Sequence, residues 1–174
     1  NEAMNKNLTI SPAKLSGKVQ LSGAKNAALR HLAASLLTEQ PLTLTNYPAS
    51  LLDAQIHVEM LEVLGKRAEL AGPDRITLTQ LATPPSRLDW QGRSIRNTLL
   101  ILGALVARTG AGAVPLPGGC KLGDRQYDLH VMLLERLGAD VWEEDDMLCA
   151  SAPRGLKGAD IRLRIRSTGA TENA

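Results

Sequence analysis

The sequence predicts an α/β fold assembled from a repeated unit, and three observations carry that expectation. Leu61-Glu62-Val63-Leu64-Gly65 returns 73 residues later as Leu134-Glu135-Arg136-Leu137-Gly138. Gly23-Ala24, inside Ser22-Gly23-Ala24-Lys25-Asn26-Ala27, returns two periods on as Gly169-Ala170, with one residue inserted before Asn173. Stretches with apolar residues at helical spacing also alternate with short strand-like stretches closed by turn residues. A fixed period of this kind marks stacked copies of one supersecondary unit.

Each unit reads α-β-α-β-β. The first opens with a helix over 26–37 and a strand over 42–45. A second helix follows over 51–64, with Leu52, Ile56, Met60 and Val63 forming its expected buried stripe. Ser50 is placed to cap that helix, and Gly65 to end it in the left-handed conformation. A hairpin closes the unit, 67–70 turning at Gly72-Pro73-Asp74 into 76–79. The second unit repeats the order: a helix over 95–107 closing at Gly110, a strand over 113–116 and a helix over 127–137 ending at Gly138. Its hairpin runs from 140–143 through Glu144-Asp145-Asp146 into 147–150.

A further strand is expected over 160–165, where Ile161, Leu163 and Ile165 alternate with polar neighbours. It leads into Ser167-Thr168-Gly169-Ala170, which reads as the start of a third first helix. The chain thus divides into an N-terminal segment, 1–21, and a partial domain, 22–174. Unit one covers about 22–81, unit two about 94–152 and the start of unit three about 156–174. On this reading the chain is a piece of a longer protein. A two-unit protein with a short C-terminal arm is the alternative. Asn1-Glu2-Ala3 before Met4 read as a remnant of recombinant expression.

Composition narrows the function classes. Apolar residues at 44% and charged residues at 22% fit a packed domain rather than a disordered chain. A net charge of +2 with both signs scattered gives no footprint for a nucleic-acid backbone. No Phe, two Trp and two Tyr leave little from which to build a base-stacking platform. The apolar stretch 98–107 is too short to span a bilayer. Cys120 and Cys149 form no CxxC, and His31, His57 and His130 lie far apart, so neither a structural metal nor a disulfide framework is expected. A reduced, cytoplasmic location fits that pattern.

Three features point to anion chemistry. Ser22-Gly23-Ala24-Lys25-Asn26 sits at a strand-to-helix junction, where free N–H groups and a lysine can hold a phosphate or carboxylate. An ordinary glycine turn with a solvated lysine accounts for the same residues. The loop 115–125 carries two prolines, three glycines, and Cys120 flanked by Lys121 and Arg125. Nearby cations lower a thiol's pKa and make it reactive. A structural cysteine is the other reading there, whereas Cys149, in an alternating strand, reads as a small buried hydrophobe. Arg96 opens the long apolar helix, where it either reaches a ligand or is simply solvated.

Taken in order, these residues resemble the UDP-N-acetylglucosamine 1-carboxyvinyltransferase family. The resemblance is carried by Ser22 to Leu29, Arg96, Leu102-Gly103-Ala104-Leu105-Val106-Ala107-Arg108, Pro117-Gly118-Gly119-Cys120 with Gly123 and Arg125, Asp128-Leu129-His130, and Gly169-Ala170-Thr171. It spans nearly the whole chain from Leu15. The related shikimate-pathway transferases carry a Gly-Ser/Asp-Lys-Ser turn and no cysteine loop, a poorer match.

The resemblance implies two domains, each of three α/β units packed as an inside-out barrel, with the active site between them. It also implies transfer of enolpyruvate from phosphoenolpyruvate to the 3′-hydroxyl of UDP-N-acetylglucosamine, the first step of peptidoglycan synthesis, without a cofactor. On that basis Lys25 and Asn26 hold phosphoenolpyruvate, Arg125 its phosphate, and Arg96 the nucleotide sugar. The segments Arg125, Gln126, Tyr127, Asp128, Leu129 and Ile165, Arg166, Ser167, Thr168 line the UDP-sugar site. Cys120 is the proton donor and the thiol alkylated by fosfomycin. Lys25, Cys120 and Arg125 form the catalytic set.

The aspartate and further ligands of the second domain are absent from this sequence, so the 174 residues alone are expected to be inactive. Ile165 stands where some members carry a polar residue. Two other readings are a binding fragment that keeps only the nucleotide-sugar half-site, and a transferase acting on another nucleotide.

Overall fold

The protein is described here from a computed structural model, which covers residues 8–93, 95–117 and 127–174. In the first unit α1 (Lys25–Ala34) runs into a 3-10 turn (Ser35–Leu37), followed by β1 (Leu42–Thr45), α2 (Leu52–Val63), β2 (Lys66–Leu70) and β3 (Arg75–Gln80). The second unit has α3 (Thr98–Thr109), β4 (Ala111–Pro115), α4 (Asp128–Arg136), β5 (Asp140–Glu144) and β6 (Met147–Ser151). A short α5 (Thr168–Asn173) begins the third.

Both units form the same three-stranded antiparallel sheet, ordered β1-β3-β2 and β4-β6-β5. Leu42 stands opposite Leu78 and Lys66 opposite Gln80 in the first, while Ser151 pairs with both Ala111 and Asp140 in the second. The β5–β6 hairpin turns on Asp145 and Asp146, both at positive φ (50° and 58°), as a two-residue turn matching the strand twist requires. Gly65 and Gly138, one period apart, end α2 and α4 at φ 86° and 96°. An L side chain there would strain the backbone, so the repeated glycine marks the helix stop.

The centre of the molecule is α3. Every residue from Thr98 to Val106 is buried, because α1, the 3-10 turn, β4, β6 and α5 surround the helix. A helix that is apolar all round has to be enclosed in this way. Leu32 and Leu36, Met60 and Leu61, Ile76 and Leu78, and Leu133 and Leu148 are also buried.

Four expectations need correction. Residues 160–165 form no strand, since no ladder partner lies beside them among the described residues. The corresponding piece before α3 shows what such a segment needs: Ala113 of β4 donates to Ser86 O (2.7 Å) and accepts from Leu88 N (2.9 Å) in a parallel bridge at Arg87. Ser50 does not cap α2; Leu51 occupies the N-cap with no side-chain bond. The buried face of α2 runs through Ala54, His57 and Leu61 as well as Ile56 and Met60, leaving Leu52 and Val63 exposed. Burial follows where α1 and β2 pack, which spacing alone does not decide. Arg96 precedes α3 rather than opening it, because Asn97 is the N-cap. The hairpins and α5 lie where expected, the latter capped by Ser167 Oγ accepting from Ala170 N at 3.2 Å.

Candidate functional site

The sequence brings Lys25 to the cleft by a close backbone crossing. A Cβ at Gly23 would overlap the Asn46 carbonyl oxygen and sit 2.9 Å from its carbon. Glycine is required here for approach, rather than for the turn expected from the sequence, since Gly23 is not at positive φ. The chain then enters α1, whose first residues are Lys25 and Asn26.

These residues open onto a cleft of about 630 Å³ into which α1, α2, α3 and α4 all point their N-terminal ends. Lys25, Asn26 and Arg30 come from α1, Asp53 from α2, Arg93 and Arg96 from the approach to α3, and Asp128, Leu129 and His130 from α4. Ile165, Arg166, Ser167 and Gly169 line it as well. Among the described residues its lining carries five side-chain cations (Lys25, Arg30, Arg93, Arg96, Arg166) against two carboxylates (Asp53, Asp128). Helix N-termini add partial positive charge, so the cleft favours an anionic ligand.

Both carboxylates are engaged. Lys25 Nζ lies 3.0 Å from Asp53 Oδ2, and Arg164 pairs with Asp128. Arg30 binds Glu172 of α5 at 2.6 Å, linking the first unit to the third-unit start. His130 is nearly enclosed. Burial first, and then the Arg96 guanidinium, hold its pKa below the ordinary histidine value, so it is neutral at pH 7. His57, behind the cleft, is pushed down to about 3 by burial.

Of the residues marked in the sequence, Lys25, Asn26, Arg96, Asp128, Leu129, Ile165, Arg166 and Ser167 meet in this cleft. Thr168 faces an adjoining hollow that shares Ile165, Arg166 and Ser167. Tyr127 turns away to donate to Glu143, a bond that, with burial, raises its phenol pKa. Cys120, Arg125 and Gln126 lie outside the described residues. Cys149 is buried in β6, and burial raises its thiol pKa, as a core cysteine requires. Among the described residues, no cluster of His, Cys, Asp or Glu is arranged to hold a metal ion, and no helix is long and apolar enough to cross a membrane.

Sequence reasoning missed Arg30, Asp53, Arg93, Asn97 and His130. Two signals were available for them. Arg30 lies one helical turn beyond Asn26, and His130 stands one period after His57.

The UDP-N-acetylglucosamine 1-carboxyvinyltransferase of Cereibacter sphaeroides is 43% identical over 92% of this chain and 39% of its own length. The enzyme of the same name from Caulobacter vibrioides is 42% identical over 95% of this chain and 39% of its own. The chain therefore spans about two fifths of the curated relatives it matches. Among solved structures, EPSP synthase from Acinetobacter baumannii superposes with a TM-score of 0.68 at 20% identity, over 90% of this chain and 36% of that one. The enolpyruvyl transferase NikO from Streptomyces tendae gives 0.64 at 23% identity, over 82% and 31%. At those identities the likeness establishes the fold, that of the enolpyruvyl transferases. The family model described as EPSP synthase (3-phosphoshikimate 1-carboxyvinyltransferase) matches residues 10–174. With its repeated α/β units and anion-seeking cleft, the chain belongs to this family of carboxyvinyltransferases.

Proposed function

We propose that this chain forms the nucleotide-sugar and phosphoenolpyruvate half-site of a UDP-N-acetylglucosamine enolpyruvyl transferase. The observation that carries this reading is the convergence, on one cationic cleft, of residues as far apart in the sequence as Lys25 and Gly169. Both substrates are polyanions, and fixed cations at converging helix N-termini stabilise them without reorganising during the reaction.

In the reaction, the sugar 3′-oxygen bonds to C2 of phosphoenolpyruvate while C3 takes a proton from an acid, the role assigned to Cys120. The hydroxyl proton passes to a base. The C2–O bond to phosphate then breaks, and a proton leaves C3 to restore the double bond. The products are the enolpyruvyl ether and inorganic phosphate. Lys25, Asn26 and Arg125 hold phosphoenolpyruvate, and Arg96, 127–129 and 165–168 bear on the nucleotide sugar. Asp53 and Asp128 are both tied up in ion pairs. The resemblance assigns the base to an aspartate of a second domain, so the 174 residues by themselves are expected to bind the nucleotide sugar without turnover. The cytoplasm, where peptidoglycan precursors are made, is the proposed location.

Calorimetric titration with UDP-N-acetylglucosamine and a phosphate-release assay test this. Binding by the chain, weakened by Arg96→Ala and without phosphate release, is the expected result. Failure to bind any UDP-sugar overturns the half-site. Release of phosphate with both substrates present overturns the requirement for a second domain. Ile165 borders both hollows, so a preference for a different nucleotide would be read there by testing UDP and UMP beside the sugar nucleotide.

A further inference from the structure

Behind the cleft, one buried hydrogen-bonding device occurs twice. Asn97 Nδ2 donates to Leu29 O of α1 and to His57 Nδ1 of α2, both at 3.0 Å. Asn173 Nδ2 donates to Leu99 O of α3 (3.2 Å) and to His130 Nδ1 of α4 (3.0 Å). The two histidines are one period apart, and each asparagine belongs to the unit after its histidine. Each amide thus spends both hydrogens on the preceding unit, one on its first helix and one on its second. Both histidines must be neutral with Nδ1 as the acceptor. His57 is fully buried and Asn97 only 7% exposed.

The first copy has a consequence for the cleft. Asn97 immediately follows Arg96, and Leu29 lies one helical turn after Lys25. The clamp therefore ties the short turn carrying Arg96 to the helix carrying Lys25. Arg96 O also accepts from Leu99 N at 3.3 Å, and Ile95 O accepts from Thr98 Oγ1 at 3.2 Å, so the turn is stiff once its asparagine is pinned. A long arginine on a loose turn would lose rotamer freedom on binding; one on a pinned turn loses less.

We propose that His57 and Asn97 are positioning residues, whose buried amide–imidazole clamp fixes the Arg96 guanidinium relative to Lys25 across the cleft. Neither touches a ligand through the clamp. The effect on affinity rests on the half-site reading above, whereas the effect on Arg96 itself does not.

The test uses the 174-residue chain with two substitutions at one position. His57→Asn keeps an acceptor close to the Nδ1 position, and His57→Leu fills similar volume without one. The readout is 15N relaxation of the Arg96 Nε–H group beside a UDP-N-acetylglucosamine titration. Expected is an ordered Arg96 in the wild type and His57→Asn, with its order parameter dropping below about 0.6 in His57→Leu. The dissociation constant then rises roughly tenfold in His57→Leu and recovers in His57→Asn. Loss of thermal stability alone would accompany a merely structural histidine and would leave Arg96 ordered. Unchanged Arg96 order in His57→Leu overturns the proposal. Should that variant not fold, Asn97→Ser, which keeps one short donor, is read in the same way. A wild-type chain that binds no UDP-sugar, but whose Arg96 order follows the clamp, overturns the half-site and leaves the clamp standing.

Discussion

Acidification from pH 7.5 to 5.0 is expected to remove about 2 kcal/mol of stability through His57 alone. Burial pushes its folded pKa from 6.5 down to about 3, and the side chain has no exposed surface, so solvent screening does not reduce the effect. The unfolded chain takes up the proton near 6.5 while the native state refuses it. The unfolded state therefore binds more protons throughout this interval, and stability falls as pH falls. The contribution is fully present above 6.5. It declines by roughly 1.4 kcal/mol per pH unit below that, and levels off under the folded pKa. His130, lowered for the same reason and by Arg96, acts in the same direction. The pH range 7.5–5.0 also lies above the titration of ordinary carboxylates, so histidine is the main contributor there. Urea unfolding at fixed ionic strength across this range measures the slope, with His57→Asn as the control that removes one titrating group. A stability that stays flat to within about 0.5 kcal/mol, or a slope that His57→Asn leaves unchanged, would refute the assignment of a neutral buried imidazole.

Other outcomes follow from single contacts. Gly23→Ala would drive a methyl into the Asn46 carbonyl, with Pro48 Cδ 3.1 Å away, and is expected to cost about 1–3 kcal/mol in unfolding free energy, read by denaturant titration, while displacing Lys25. Gly103→Ala would overlap Asn173 Oδ1 and sit 2.9 Å from its Cγ. That should free His130 Nδ1, visible as a changed imidazole 15N shift, whereas an unaltered shift would mean the second clamp is not formed. Ser167→Ala removes the cap that accepts from Ala170 N, and faster amide exchange at Ala170 with a loss of roughly 1 kcal/mol is expected.

Much of this fold could be read along the chain because its signals are local. The glycines at 65 and 138 stop helices by their own backbone freedom, and the Asp145-Asp146 turn needs only residues tolerant of positive φ. The 73-residue echo predicted a repeated α/β unit, and both sheets have the same strand order. The resemblance marked Lys25, Asn26, Arg96, 128–129 and 165–167 as site residues, and these do share one cleft.

Tertiary structure decided what depends on a distant partner. A stretch gains ladder hydrogen bonds only where a strand meets it, which 86–88 does in an isolated bridge to β4 and 160–165 does not among the described residues. The face that α2 buries was set by its neighbours rather than by its strongest apolar stripe. The amino-acid order cannot reveal that Asn97 spends its amide on Leu29 and His57, 68 and 40 residues away. Local sequence encodes dihedral preference and periodicity, whereas burial, proton occupancy and the pairing of polar groups are properties of the packed whole.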